Sequence, residues 1–239
     1  TNINEHCGST HPQRLQERVC ELGADVGLAF DGDADRLIAV DERGRLVDGD
    51  VIMAICAIHL QQVGKLAQDT LVTTVMSNVG LDIAMKQHGI RVEKTDVGDR
   101  YVLERMREKG YMLGGEQSGH MIFLAHQTTG DGMLTGVELL SILTETGRSL
   151  GNLAQCMQAL PQALLGAKVP ESHKMTFRED AEIARAVDLL EKKYAESGRV
   201  LIRPSGTEPL VRVMIEGPDL RMIEQDAFEL AQLIETRMA

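Results

Sequence analysis

The stretch TLVTTVMSNVGLDIAMKQHGIRVEKTD, residues 70–96, reads as strand, helix, strand. TLVTTVM is a β-branched run, LDIAMKQHG carries a short helix that stops at Gly89, and RVEKTD is again strand-like. A strand followed by a helix and a further strand is the unit from which α/β architecture is built.

The same grammar extends in both directions. Upstream, residues 12–22 read as a helix with Pro12 near its first turn and Leu15, Val19 and Leu22 at helical spacing. ADVGLAF and RLIAVD follow as short strands, then a turn, DERGRLVDGD, and an apolar helix over 50–63 that Asp50 is placed to cap. Downstream, GDRYVLERMREKG predicts a helix, YMLGG and MIFLA strands, and DGMLTGVELLSILTETG a long helix. From Leu153 to Gly166 the chain reads as a helix and a connection, and beyond it the pattern changes. One helix (178–196), two strands (RVLIRP and LVRVMIEG) and a last helix (219–237) predict an α+β unit, with a boundary near 160–166.

Composition sets outer limits. The 239 residues are 43% hydrophobic and 26% charged, typical of a globular protein with a real core. A formal charge of −11 argues against a general nucleic-acid or anionic-membrane binder, so an anionic ligand must be held by local cations. Cys7, Cys20, Cys56 and Cys156 are far apart and form no C-x-x-C pair, which predicts reduced and mostly buried thiols. The longest apolar stretch, VIMAICAIHL, is too short to span a bilayer, and no signal-like start is present; a cytoplasmic protein is expected. TNINEHCG opens without Met and without a helix start, so a portion of a longer protein is expected.

Three loops carry polar chemistry. In LAFDGDADRLIAV, residues 28–40, Asp31, Asp33 and Asp35 alternate, and an extended backbone sends alternate side chains to one side. Like charges so close repel one another, and a divalent cation would neutralise them; carboxylates are hard oxygen ligands that suit Mg²⁺. An EF-hand would also use Asp31, Asp33, Asp35 and Glu42, but its sixth position needs glycine and holds Arg36, and the flanks read as strands. A phosphatase with an aspartate nucleophile after a strand and a solvated acidic turn are the other readings.

GGEQSGH, residues 114–120, alternates Glu116, Ser118 and His120 with small residues that admit a ligand to the backbone. Those side chains suit hydroxyl recognition or proton transfer, although a glycine-rich hairpin with polar decoration looks the same. In RPSGTEP, residues 203–209, Ser205, Thr207, the N–H of Gly206, Arg203 and nearby Arg212 make a phosphate cradle of neutral donors and guanidinium forks. An ordinary hairpin turn is the alternative there.

In this order the three loops closely resemble the metal, sugar and phosphate loops of the α-D-phosphohexomutases. NINEHCGSTHP, VDGD, VGDRYV and TTGDG extend the resemblance from residue 2 almost to the end. It implies an α/β fold: the end of one α/β domain (1–46) with the metal loop, a complete second α/β domain with a mixed sheet (47–160) for the sugar, and a C-terminal α+β phosphate-binding domain (161–239). It also implies conversion of glucosamine 6-phosphate to glucosamine 1-phosphate, feeding UDP-N-acetylglucosamine, with a small phosphosugar as partner. Phosphomannomutase or phosphoglucomutase activity and a noncatalytic sugar-phosphate module are the competing expectations.

Carried over, Asp31, Asp33 and Asp35 would hold Mg²⁺ together with a phosphoserine oxygen, and Arg36 would help hold the transferring group. Glu116 and Ser118 would grip sugar hydroxyls, and His120 would lie close to the reacting oxygen. Arg203, Ser205, Gly206, Thr207 and Arg212 would hold the phosphate that is not reacting. The family's serine lies in a loop like T-A-S-H-N-P, and no such string occurs here; STHP at 9–12 falls in the piece resembling the second domain. The expected partner is therefore the N-terminal domain of the same protein, without which the chain should be inactive; a homodimer is compatible with the resemblance. Some relatives carry a basic residue two places before the glycine of VGDR, where this chain has Asp96, so Lys94, Arg100 and His120 are all candidates for the general acid/base.

Overall fold

The computed structural model describes residues 4–206 and 208–238. Helix α1, Gln13–Leu22, starts directly after Pro12, where a missing N–H costs nothing. It buries Val19, but Leu22, expected on the same apolar face, is 67% exposed as the last residue of the helix. Strands β1 (Val26–Phe30) and β2 (Leu37–Asp41) form an antiparallel hairpin with Phe30 opposite Leu37, so DGDADR is its connecting loop. The turn after β2 carries a strand not expected from sequence, β3 (Leu46–Val47), which is only two residues long and pairs with β2.

Helix α2 (Gly49–Gln62) is capped by Asp48, whose carboxylate accepts the Val51 N–H at 3.1 Å. The expected cap, Asp50, lies inside the first turn, with its side chain fully buried. Ile52 and Met53 are also fully buried, each stabilising by about 1.5–3 kcal/mol relative to exposure.

The strand, helix, strand unit comes next as β4 (Thr70–Thr74), α3 (Val79–Gln87) and β5 (Arg91–Thr95), with β4 and β5 parallel. All five residues of β4 are buried, which explains its β-branched composition. Helix α4 (Asp99–Lys109) leads to β6 (Leu113–Gly115), which pairs parallel to the other side of β4, and β7 (Met121–Phe123) adds antiparallel to β6. The mixed sheet therefore runs β5-β4-β6-β7. The chain reverses its direction of growth across β4, and the loops after β5 and β6 both leave from carboxyl ends of strands, where open α/β sheets bind ligands. Helices α5 (Gly132–Thr146) and α6 (Leu150–Leu153) complete this part.

Two compact units result, Thr1–Gln158 and Ala159–Ala239. The hairpin of β1 and β2, in the stretch 1–46 expected to end a separate domain, shares one core with the rest of the first unit: Leu37 and Ala39 pack in the same cluster as Ile52, Met53, Leu71 and Leu139. The second unit has its own core. Its first strand, β8 (Gln162–Lys168), occupies the segment expected to be a connection. With β9 (Arg199–Pro204) and β10 (Leu210–Glu216) it forms an antiparallel sheet ordered β8-β10-β9, accompanied by α7 (Ala181–Tyr194) and α8 (Leu220–Met238). Among the described residues no helix is long and apolar enough to cross a membrane. The thiols also differ from expectation: all four are free, but Cys7 and Cys20 are exposed, Cys156 is half-buried and only Cys56 is buried.

Candidate functional site

The β1–β2 loop brings the three aspartates together. One carboxylate oxygen from each of Asp31, Asp33 and Asp35 lies within 4.8 Å of the others. Strands flank this loop on both sides, which removes the helix-flanked EF-hand reading. The Arg36 N–H donates to Asp31 Oδ1 at 3.2 Å, and its Nε stands 3.7 Å from Asp31 Oδ2 and 3.8 Å from Asp35 Oδ1. Burial first, then the neighbouring Asp31, pushes the Asp35 carboxyl above its ordinary pKa, while His120 acts in the opposite direction. Asp35 Oδ1 is buried and has no hydrogen-bond partner among the described residues. A cation among these oxygens would satisfy that atom and offset the repulsion, so the donor set fits a hard divalent ion.

The sugar-loop candidates stand next to this cluster. GEQSGH is the turn of the β6–β7 hairpin, closed by Glu116 N–H to His120 O and Gly119 N–H to Glu116 O, both 2.9 Å. Its end is stitched to the aspartate loop: Arg36 and His120 form an antiparallel bridge, and Leu37 N–H donates to Gly119 O at 3.1 Å. Gly119 has φ +95°, and a Cβ there would stand 2.2 Å from Leu37 O. From the other side, Gly49 N–H donates to Gln117 O at 3.1 Å. Ser118 is exposed and Glu116 half-buried. Glu116 Oε1 accepts the Gly98 N–H at 3.2 Å, which ties the sugar loop to the VGDR loop.

The acid/base candidates are placed unequally. Lys94 pairs with Asp82 at 2.6 Å. Arg100 is largely exposed on α4 and pairs with Glu104, which raises its already high pKa and keeps it charged. His120 is buried, with Nδ1 3.0 Å from Asp35 Oδ2 and Nε2 accepting the Gly130 N–H at 3.0 Å.

Residues 128–132, TTGDG, carry no individual role in the sequence reading, yet they brace the metal and sugar loops. Gly130 contacts His120, Asp131 caps α5 by accepting the Leu134 N–H, and Gly132 N–H donates to Ala34 O at 2.9 Å. The signal in the sequence is the pair of glycines before a helix, each needed for close approach. A Cβ on Gly132 would stand 2.5 Å from Arg36 O.

In the second unit, RPSGTEP joins β9 to β10. Arg203 and Arg212 are opposite each other in that register, which puts two guanidinium groups on one face. Arg212 Nη2 pairs with Glu208 Oε2 at 3.2 Å, Ser205 is buried with its Oγ accepting the Glu208 N–H at 3.3 Å, and Gly206 is exposed. Thr207 lies outside the described residues. Two opposed guanidinium groups and a buried hydroxyl are donors suited to one phosphate.

Comparison with known proteins places these loops in a context. Residues 48–160 match the family model for the alpha/beta/alpha domain III of phosphoglucomutase/phosphomannomutase, and residues 164–232 match that for its C-terminal domain. The chain is 59% identical over 236 residues to a phosphoglucosamine mutase of Thermoanaerobacter sp. (strain X514), covering 99% of this chain and 53% of that protein. It is 59% identical over 237 residues to the phosphoglucosamine mutase of Acetivibrio thermocellus, with the same 99% and 53% coverage. The chain thus spans about half the length of the curated relatives it matches. In fold it is similar to Aspergillus fumigatus N-acetylphosphoglucosamine mutase in complex with GlcNAc-6P and magnesium, with a TM-score of 0.76 and 21% identity over 98% of this chain and 53% of that one.

Proposed function

The chain belongs to the phosphoglucomutase/phosphomannomutase family, and we propose that it is the C-terminal portion of a phosphoglucosamine mutase. The reaction is the interconversion of glucosamine 6-phosphate and glucosamine 1-phosphate through a phosphoserine and a bisphosphorylated sugar, in the cytoplasm. One observation carries this reading. Asp31, Asp33 and Asp35 gather within 4.8 Å at the end of a hairpin whose connecting loop is bridged to the GEQSGH turn. A metal-binding loop and a hydroxyl-binding loop are thereby made one object.

The residues divide the work as phosphoryl transfer requires, by positioning and charge stabilisation. Asp31, Asp33 and Asp35 would hold Mg²⁺, which supplies positive charge to the transferring phosphoryl group. Arg36, 45% exposed beside the cluster, offers a guanidinium to the same oxygens. Glu116 and Ser118 address sugar hydroxyls, and Arg203, Ser205, Gly206, Thr207 and Arg212 hold the phosphate that is not reacting. The phosphorylated serine comes from residues outside this chain.

Calorimetry tests the binding half of this reading. Glucosamine 6-phosphate should bind in the presence of Mg²⁺, and Asp33→Asn should weaken Mg²⁺ binding, because a neutral amide attracts the ion less. Tight Mg²⁺ binding indifferent to Asp33→Asn would put the ion elsewhere. Hydrolysis of a generic phosphate ester by the chain alone would instead favour an aspartate-nucleophile phosphatase, with Asp31 as the residue to replace first.

A further inference from the structure

Behind the GEQSGH turn lies a line of polar side chains with almost no access to water. Asp50, Thr73 and Ser77 are fully buried, and Asn78 is 4% exposed. They come from the first turn of α2, from β4 and from the turn between β4 and α3. A buried polar network is costly, and apolar side chains of similar size would fill the same space without that cost.

The direction of the line follows from which atoms can donate. A carbonyl oxygen only accepts, so the Thr73 Oγ1 proton goes to Gly115 O, 3.0 Å away. The Ser77 hydroxyl, hydrogen-bonded to Thr73 Oγ1, is then the donor in that pair. With its only proton engaged there, Ser77 Oγ turns a lone pair to the Asp50 carboxyl that it also contacts. Asp50 answers as a donor while it carries a proton, and its Oδ2 accepts the Asn78 N–H at 2.8 Å. Burial, opposed by the Asn78 amide and Lys94 and aided by Asp48, raises the Asp50 pKa to about 7, so the proton is held below that pH.

The line ends on the last residue of β6, and the next residue is Glu116. The same turn of α2 also meets the loop directly. Gly49 N–H donates to Gln117 O at 3.1 Å, and a Cβ on Gly49 would stand 2.3 Å from Glu116 O. We propose that Asp50 is a positioning residue for the sugar loop: through Ser77 and Thr73 it fixes the Gly115 carbonyl, and with it the place of the Glu116 carboxylate that meets a sugar hydroxyl. The inference rests on the reading of GEQSGH as the hydroxyl-binding loop. It makes phosphosugar affinity depend on a proton that the ligand never touches. Once ionised, Asp50 competes with Thr73 for the Ser77 proton, and the line to Gly115 is broken.

The test uses the 239-residue chain. The peptide group of the Gly115 carbonyl contains the Glu116 N–H, so in ¹H–¹⁵N spectra without ligand the Glu116 amide should titrate with a midpoint at about pH 7. That step should be absent from Asp50→Asn, whose amide N–H replaces the carboxyl proton. In Thr73→Val it should persist at the Asn78 amide and vanish from Glu116. A parent without the step, or parent-like Glu116 curves in either variant, would overturn the inference. Calorimetry with glucosamine 6-phosphate and Mg²⁺ supplies the second readout. Thr73→Val and Ser77→Ala should each weaken phosphosugar binding by about 5–20-fold, whereas Asp50→Asn should stay within about threefold of the parent at pH 6. The parent should lose affinity relative to Asp50→Asn as pH rises through about 7, a ratio from which the ligand's own ionisation cancels. Unchanged phosphosugar affinity in Thr73→Val, or an equal loss of its Mg²⁺ affinity, would contradict the positioning role. A parent that fails to bind glucosamine 6-phosphate defeats the sugar-loop reading. Binding by the parent together with a Glu116 amide indifferent to Asp50 defeats this inference alone.

Discussion

Asp50 should make the first unit less stable as pH rises, and its replacement by asparagine should remove that dependence. The side chain is fully buried in the first turn of α2, with Oδ2 accepting the Asn78 N–H at 2.8 Å and Oδ1 without a hydrogen-bond partner among the described residues. Burial, outweighing the hydrogen bonds and aided by nearby Asp48, pushes its pKa from 3.8 up to about 7. The folded state therefore holds the proton more tightly than the unfolded chain. That stabilisation is fully present below about pH 3.8, declines as the unfolded carboxyl ionises, and is gone above about pH 7. Three pKa units correspond to about 4 kcal/mol in total. Between pH 5 and pH 8.5 the loss amounts to about 2.5 kcal/mol by the same linkage relation. In Asp50→Asn the amide oxygen can still accept from Asn78, so a constant offset is expected but no titration. Urea unfolding followed by the methyl resonance of Met53, fully buried in the same helix, reports on this unit alone. The stability of the variant relative to the parent should rise by about 2.5 kcal/mol from pH 5 to pH 8.5. A difference that stays constant, or moves the other way, would refute the reasoning.

The phosphate and sugar loops offer further tests. Arg203→Ala should weaken sugar-phosphate binding by about 1.5–3 kcal/mol in calorimetry, and Arg203→Lys should recover only part of it, since an ammonium lacks the planar fork. Unchanged affinity would remove RPSGTEP from the site. Glu208→Gln frees Arg212 from its exposed partner and should raise affinity for inorganic phosphate by less than about fivefold; a loss would mean that Glu208 supports the cradle rather than competing for it. Gly119→Ala must relieve a 2.2 Å approach to Leu37 O at a φ of +95° and should cost at least about 2 kcal/mol in urea unfolding, whereas an unchanged midpoint would mean that the two loops are not locked together.

Much of the fold is legible locally, because β4 is a β-branched run, β5 carries Val92 and Thr95, and α3 ends at Gln87, two residues before Gly89. The strand β8 is not, because QALLGAK contains alanine and glycine and buries only Ala163 and Ala167; its pairing with all seven residues of β10 makes it a strand. Similarly, β3 exists through two pairs with β2 and has too few residues to show a period. Choosing Asp50 over Asp48 as the α2 cap fails for a tertiary reason, since Asp50 is drawn inward to the Asn78 amide, 28 residues away. The three loops are visible as strings of chemistry-bearing residues. The joining of the first two is not, because His120 meets Asp35 across 85 residues and Gly130 across ten, with no periodicity to announce either contact.

On the function proposed above, this chain would supply the metal, sugar and phosphate loops of a phosphoglucosamine mutase, and the phosphoryl-carrying serine would come from another part of the protein. The direct measurement is ³¹P NMR of glucosamine 6-phosphate with Mg²⁺, first with the pure 239-residue chain and then with the serine-phosphorylated N-terminal portion of the protein added. No conversion in the first sample and appearance of glucosamine 1-phosphate in the second is the predicted result; conversion by the chain alone would contradict the account.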